Sequence, residues 1–155
     1  MTGTLTMGLL WFAAIGCGLM AGLYFAFSAF IPQAFDALGP EPAAAAMNAI
    51  NVRIVQSLFL PLFLGTTFAG VALAGIGIAG WGRPGATAML AGGALYALGM
   101  FGVTMAFNVP LNNALVQSGA AFWPDYLARW TLWNHVRTIA STAASGLFIL
   151  AIAAR

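Results

Sequence analysis

Apolar residues run along this chain in four long blocks, 5–31, 54–80, 86–109 and 133–154, and polar residues collect at one end of the last three. A helix needs roughly 20 apolar residues to cross about 30 Å of hydrocarbon, so each block predicts a membrane-spanning helix. Open backbone has no partner in lipid, which leaves helix as the only local structure for such a block. Trp81, Gly82, Arg83, Pro84 and Gly85 predict a tight antiparallel turn between the second and third blocks. The other two connections, Pro32 to Val52 and Pro110 to Leu132, are longer. One holds Pro40, Glu41 and Pro42 before an Ala-rich stretch, the other Trp123, Pro124, Asp125 and Tyr126. The predicted architecture is all-α: one domain over 1–155, an integral membrane four-helix bundle with short interfacial helices in the two long connections. Pro61 marks the second block as the one to be irregular, because proline removes a backbone donor.

An even number of crossings puts both termini and the short turn at one face, and both long connections at the other. Three polar groups then share one leaflet: Asn48, Asn51, Arg53 and Gln56; Asn108, Asn112 and Asn113; and Trp130, Asn134, His135 and Arg137.

Composition agrees with a bilayer setting and narrows the partners. Of 155 residues 62% are hydrophobic and 5% charged, with a mean hydropathy of +0.95, against roughly 25% charged residues in soluble domains. Membrane lipid is thus the standing partner. Five Arg and no Lys face only Asp36, Glu41 and Asp125, too scattered a set to track phosphates, so no nucleic acid is expected. Cys17 is the only cysteine and sits in an apolar run, which excludes an intrachain disulfide. Leu5 to Ile31 is longer than the about 7 to 15 residues of a signal-peptide core and reads as a retained span. The expected location is the cytoplasmic membrane, with cytoplasmic termini if Arg53 and Arg137 belong to a buried site and drop out of the loop count. Small-residue steps at Gly18 and Gly22, Gly70 and Ala74, and Ser141 and Ser145 offer close helix packing and make a homo-oligomer reasonable.

Arg137 is the most informative single residue. An Arg inside a span costs about 2.5 to 3.5 kcal/mol at the bilayer centre, so something must face it. Trp130, Trp133, Asn134, Arg137 and Ser141 fall on one helical stripe by three- and four-residue steps. Arg53 repeats the pattern beside Asn48 and Asn51. Two arginines with few carboxylates suit an anionic or enolisable ligand, the alternative for each being a side chain that snorkels to headgroups. Asn108 and Asn112 flank the helix-breaking Pro110 and suggest a polar kink facing a cavity. His135, the only imidazole, is suited to proton transfer. A single His without Cys or a nearby carboxylate falls short of a metal site, and neither metal nor cofactor is expected within one chain. No acidic residue lies in the first three blocks, which counts against a proton-coupled exporter. The far halves of the blocks offer no continuous polar path for a channel.

The run Gly22 to Pro32 (GLYFAFSAFIP), then Met47, Asn48, Ile50 and Asn51, then Phe101 to Asn113 (FGVTMAFNVPLNN) and Trp130 to Thr138 (WTLWNHVRT) resemble the anthrone oxygenase-like family of small four-span membrane proteins. That resemblance implies an oxidoreductase converting an anthrone-like or other polycyclic phenol or quinol with molecular oxygen as co-substrate and no cofactor. Carried to matching positions, it implies Asn108, Asn112, Asn134, His135 and Arg137 as site residues. An anthrone can lose a proton to give a stabilised anion that reacts with oxygen directly, so a base, charge stabilisation and a dry aromatic slot suffice. The expected roles are base for His135, oxyanion stabilisation for Arg137 and Arg53, orientation for Asn108, Asn112 and Asn134, and stacking for Trp130, Trp133 and Phe107, with Asn48 and Asn51 as further substrate-binding residues. The competing expectation is a non-catalytic membrane module that binds a quinone or lipid, or assists a neighbouring complex, through the same patch.

Overall fold

The computed structural model describes residues 3–155, and among them every regular element is helical. Helix α1 (Gly3–Ala29) is followed by short α2 (Ile31–Asp36), α3 (Pro40–Ile54) and α4 (Phe59–Ala79). Helix α5 (Ala86–Ala94) widens into two π-helical segments, Leu95–Gly102 and Thr104–Asn108, before α6 (Val109–Ser118), a 3-10 turn (Gly119–Phe122) and α7 (Trp123–Ala153). Three helical stretches are long and apolar enough to cross a bilayer: Gly3–Asp36, Phe59–Ala79 and Ala86–Ala153. The third is folded back on itself. Gly119 takes a φ of +64° that residues with a Cβ avoid, and α7 returns along α5 and both π-helical segments.

The element boundaries depart from the apolar blocks in ways the local chemistry explains. Helix α4 starts at Phe59 rather than 54. Ser57 Oγ donates to the Ile54 carbonyl (2.7 Å) and accepts from the Phe59 N–H (3.2 Å), turning the chain between α3 and α4. Pro61 then falls in the first turn of α4, where a missing N–H costs nothing. Helix α7 begins at Trp123, well before the block at 133, with Pro124 and Asp125 in its first turn. The long connections hold α2 and α3 in the first case, and α6 with the 3-10 turn in the second.

Helix α1 packs along α7, and α4 lies on α5 and α1. The α4–α5 contact is backbone on backbone: a Cβ at Gly93 would strike the Gly70 carbonyl and meet Ala74 Cβ at 2.8 Å. Ser145 Oγ ties α7 to α1 by donating to the Ala14 carbonyl (2.9 Å). The start of α1, the end of α4, the start of α5 and the end of α7 meet around a depression that includes Gly3, Ile76, Arg83 and Arg155. Arg53 is exposed, so it counts with Arg129 against Arg83 and Arg155, and the loop arginines of the two faces balance.

Two apolar clusters form the interior. One joins Leu10, Met20, Tyr24, Phe63, Leu73, Tyr96, Met100 and Phe148. The other joins Phe27, Met47, Leu111, Leu115, Trp123, Tyr126 and Trp130. Large apolar side chains such as Trp11, Ile15, Phe25, Phe68, Ile78, Leu98, Ile139 and Leu150 are exposed on the outside, as a lipid-facing surface requires.

Candidate functional site

The polar residues sit at the seam between the two clusters, where Arg137 touches Tyr24 of one and Trp130 of the other. The centre of its guanidinium lies 4.2 Å from the Tyr24 ring centroid and 5.0 Å from that of Trp130. The residue is 4% exposed. Helical spacing places it: Trp130, Asn134, Arg137 and Ser141 follow one another by four, three and four residues and are all buried on the inner face of α7.

Asn134 holds the guanidinium in place. Its Oδ1 accepts from Arg137 Nη2 at 2.7 Å, and its Nδ2 donates to the Tyr24 carbonyl and to Ser28 Oγ, both at 2.8 Å. Thr138 Oγ1 donates to the Asn134 carbonyl (2.9 Å) and lies 3.0 Å from Ser28 Oγ. Since the Thr138 hydrogen is committed, Ser28 donates to Thr138 and its own oxygen is left to accept from Asn134. The loop of bonds locks α1 to α7 directly beneath the charge.

The π-helical segments bring in the opposite wall. Tyr96, Met100, Thr104 and Asn108 are spaced by four residues, and all but the half-buried Thr104 are buried. An α-helix turns about 40° too far over four residues, so such a stripe would drift around it; wider turns cancel the drift and keep the four side chains on one line. Thr104 Oγ1 donates to the Met100 carbonyl (2.8 Å) and receives Arg137 Nη1 at 3.4 Å. Asn108 Nδ2 donates to the Trp130 carbonyl at 3.3 Å, docking this wall on α7.

These walls border an open-sided pocket of about 220 Å³ against α1, α3 and the start of α4. Tyr24, Phe27, Phe59, Phe63, Trp130 and Met47 supply its apolar lining; Arg137, Thr104, Asn51 and Asn112 supply its polar points. Half-exposed Val55 and Met105 stand at its outer edge. Asn112 Oδ1 is already taken by the Tyr126 hydroxyl at 2.9 Å. Three N–H groups of lining residues have no partner: Arg137 Nε, Trp130 Nε1 and Asn51 Nδ2. Buried donors are seldom left so, and here they border a cavity.

Charge is uncompensated. Arg137 contacts only neutral groups. Asp36 accepts the Trp123 indole N–H at 2.8 Å, and Glu41 and Asp125 are exposed in the first turns of α3 and α7. Among the described residues no three His, Cys, Asp or Glu side chains come together as a metal ion needs.

Of the residues singled out from the sequence, Arg137, Trp130, Asn51 and Asn112 line the pocket. Asn134 and Asn108 are buried behind it as supports. Asn48 is half-buried outside the lining, with its Oδ1 unpartnered. Four others lie outside the lining. His135, one residue or about 100° round from Asn134, is exposed in a shallow groove with Gln33 and Thr131, on another face of α7. Arg53 is exposed at the last turn of α3 and does not reach the pocket. Phe107 and Trp133 stack on each other, centroids 3.6 Å apart and planes 7° from parallel, in a separate groove beside Arg129. Each side chain points where its helical phase directs it, and that phase is not the one facing Arg137. Tyr24, Phe27, Phe63 and Thr104 were invisible as site residues because they lie inside apolar blocks; only the helix partners reveal which of many aromatics face the charge.

The geometry suits a flat aromatic ligand held between ring walls with an oxygen at the guanidinium. No curated protein and no solved structure matches the chain. The anthrone oxygenase family model matches residues 47–147, a stretch that carries Asn51, Thr104, Asn112, Trp130 and Arg137, and the chain belongs to that family.

Proposed function

We propose that this protein is a four-span helical bundle of the cytoplasmic membrane that oxygenates an anthrone-like or other polycyclic phenol in the pocket around Arg137. The observation carrying the reading is one buried guanidinium with no anionic partner, facing an aromatic-lined cavity. A developing oxyanion on the ligand would supply the missing charge, and in a dry site that attraction is far stronger than in water. The reaction asks little else of the protein. The ring carbon opposite the ketone loses its two hydrogens, one oxygen atom of O₂ becomes the new ketone, and the other leaves as water. Trp130, Tyr24 and Phe27 hold the rings; Asn134 and Thr104 fix Arg137 towards the ligand oxygen.

Oxygen uptake by purified protein in detergent, after addition of anthrone, tests this. Arg137→Gln is expected to lower kcat/KM at least tenfold, whereas His135→Ala leaves it within about twofold. Uptake unaffected by Arg137→Gln removes the proposal.

A second reading, a non-catalytic quinone- or lipid-binding module, draws support from the outward position of His135, which leaves the pocket without an imidazole or carboxylate base. Quinone-like absorbance that co-purifies and is lost in Arg137→Gln, with no oxygen uptake by the wild type, would favour it.

A further inference from the structure

The unpaired groups at the pocket are of one kind. Arg137 Nε and Trp130 Nε1 carry hydrogens and lack partners, and both residues are at least nine-tenths buried, at 4% and 5% exposure. Neither guanidinium nor indole can accept a hydrogen bond in any orientation, so this assignment survives any amide flip. Of the polar oxygens of the lining, Thr104 Oγ1 receives Arg137 Nη1 and Asn112 Oδ1 receives Tyr126, while the Tyr24 hydroxyl donates to Met100 Sδ and, with Asn51 Oδ1, keeps an oxygen free to accept. Among the described residues Tyr24 on α1 and Arg137 on α7 are the titratable groups of the lining; α3, the π-helical wall and α6 contribute Asn51, Thr104 and Asn112 beside apolar side chains, and α4 apolar side chains alone.

We propose that this pocket takes its ligand in an acceptor-only form, as a ketone or as a phenolate or enolate anion, and that the hydroxyl proton of a phenolic ligand is left outside. The inference rests on the reading of this cavity as the ligand site. A neutral phenol would bring a hydrogen to the two donors Arg137 Nε and Trp130 Nε1, neither of which can accept it, while leaving Arg137 uncompensated. Its anion would satisfy both donors and cancel the buried charge. The pocket would therefore select the ionised fraction of a phenol and lower the pH at which the bound molecule ionises, because a neighbouring cation favours the anionic form.

1-Naphthol, whose neutral and ionised forms absorb at different wavelengths, is a direct probe of the purified full-length protein in a neutral detergent. One pH unit below the midpoint measured in protein-free micelles, the wild type is expected to show the naphtholate band. Arg137→Gln, in the same micelles, should lose it, and Trp130→Phe should weaken 1-naphthol and 1-tetralone binding about tenfold while leaving naphthalene, which has no oxygen, unaffected. A wild-type complex showing only the neutral naphthol band overturns the proposal, as does naphthalene binding as tightly as naphthol. If Arg137→Gln does not fold, Trp130→Phe alone decides by the ratio of tetralone to naphthalene affinity. Anthrone-dependent oxygen uptake on the same samples separates the two ideas. Uptake without the naphtholate band sinks acceptor-only selection and spares the oxygenase; the band without uptake does the reverse.

Discussion

Asn134→Ala removes the support of the buried charge and leaves the charge itself in place. Three bonds go. The one to Arg137 Nη2 at 2.7 Å is charge-assisted, a class worth about 1.5 to 3 kcal/mol. The two from Nδ2, to the Tyr24 carbonyl and Ser28 Oγ at 2.8 Å, join helices within apolar surroundings, where such bonds average about 0.6 kcal/mol each. The sum is about 3 to 4 kcal/mol, and the charge-assisted bond dominates it because a guanidinium at 4% exposure cannot turn to water for a replacement. His135→Ala, at the next position but exposed, should cost within about 0.5 kcal/mol. Reversible unfolding of the two variants in mixed micelles, followed by circular dichroism, gives both numbers. A loss below about 1 kcal/mol for Asn134→Ala, or equal losses for the two, would refute the claim that Asn134 bears the guanidinium and that α7 turns His135 away.

Two further outcomes test packing. Phe107→Ala removes one member of the stack with Trp133, in a groove separate from the pocket. It is expected to cost about 1 to 2 kcal/mol of stability while anthrone-dependent oxygen uptake stays within about twofold; a loss of uptake in folded protein would return Phe107 to the site. Gly93→Ala places a methyl against the Gly70 carbonyl and Ala74 and should cost about 1 to 3 kcal/mol by forcing α4 from α5. Gly18→Ala, whose new Cβ would sit 3.6 Å from Ser145 Oγ, should change the same unfolding midpoint little.

How much of this was legible in the sequence depends on the kind of signal. Apolar length alone located the helical stretches, since a bilayer demands it. Arg137 stood out because its cost in lipid requires a reason, and Trp130 and Asn134 followed by helical spacing. Adjacent positions were not separable in the same way. His135 and Trp133 carry chemistry as suggestive as their neighbours', and only the packing of α1 and the π-helical wall on α7 shows which phase is inward. Arg53 lies apart for another reason: α3 ends at Ile54 and the chain turns at Ser57, so a residue placed by sequence at a span mouth lies on an exposed last turn. The widening of the third block into π-helix left no mark at all, because Leu, Gly, Met and Thr read equally well as α-helix.

That widening has a consequence for the site. Thirteen of the residues from Leu95 to Asn108 lie in wide turns, whose hydrogen bonds span five residues and are uncommon outside functional sites. Their presence follows from what they align: Thr104 must meet Arg137, and Asn108 must meet the Trp130 carbonyl four residues later. Deleting Val103, which lies between the two segments, would let the local chain relax towards α-helical turns. Everything on one side of the deletion would then rotate by about 100° relative to the other. Asn108, Val109 and Asn112 would leave their present faces while the apolar block, still long enough to span, kept its helix. The expected result is an unchanged far-ultraviolet spectrum with loss of anthrone-dependent uptake and of naphthol binding. A deletion variant that still binds and still consumes oxygen would mean that the wide turns are incidental to the pocket. In that case the alignment of Tyr96, Met100, Thr104 and Asn108 could not be what builds its wall.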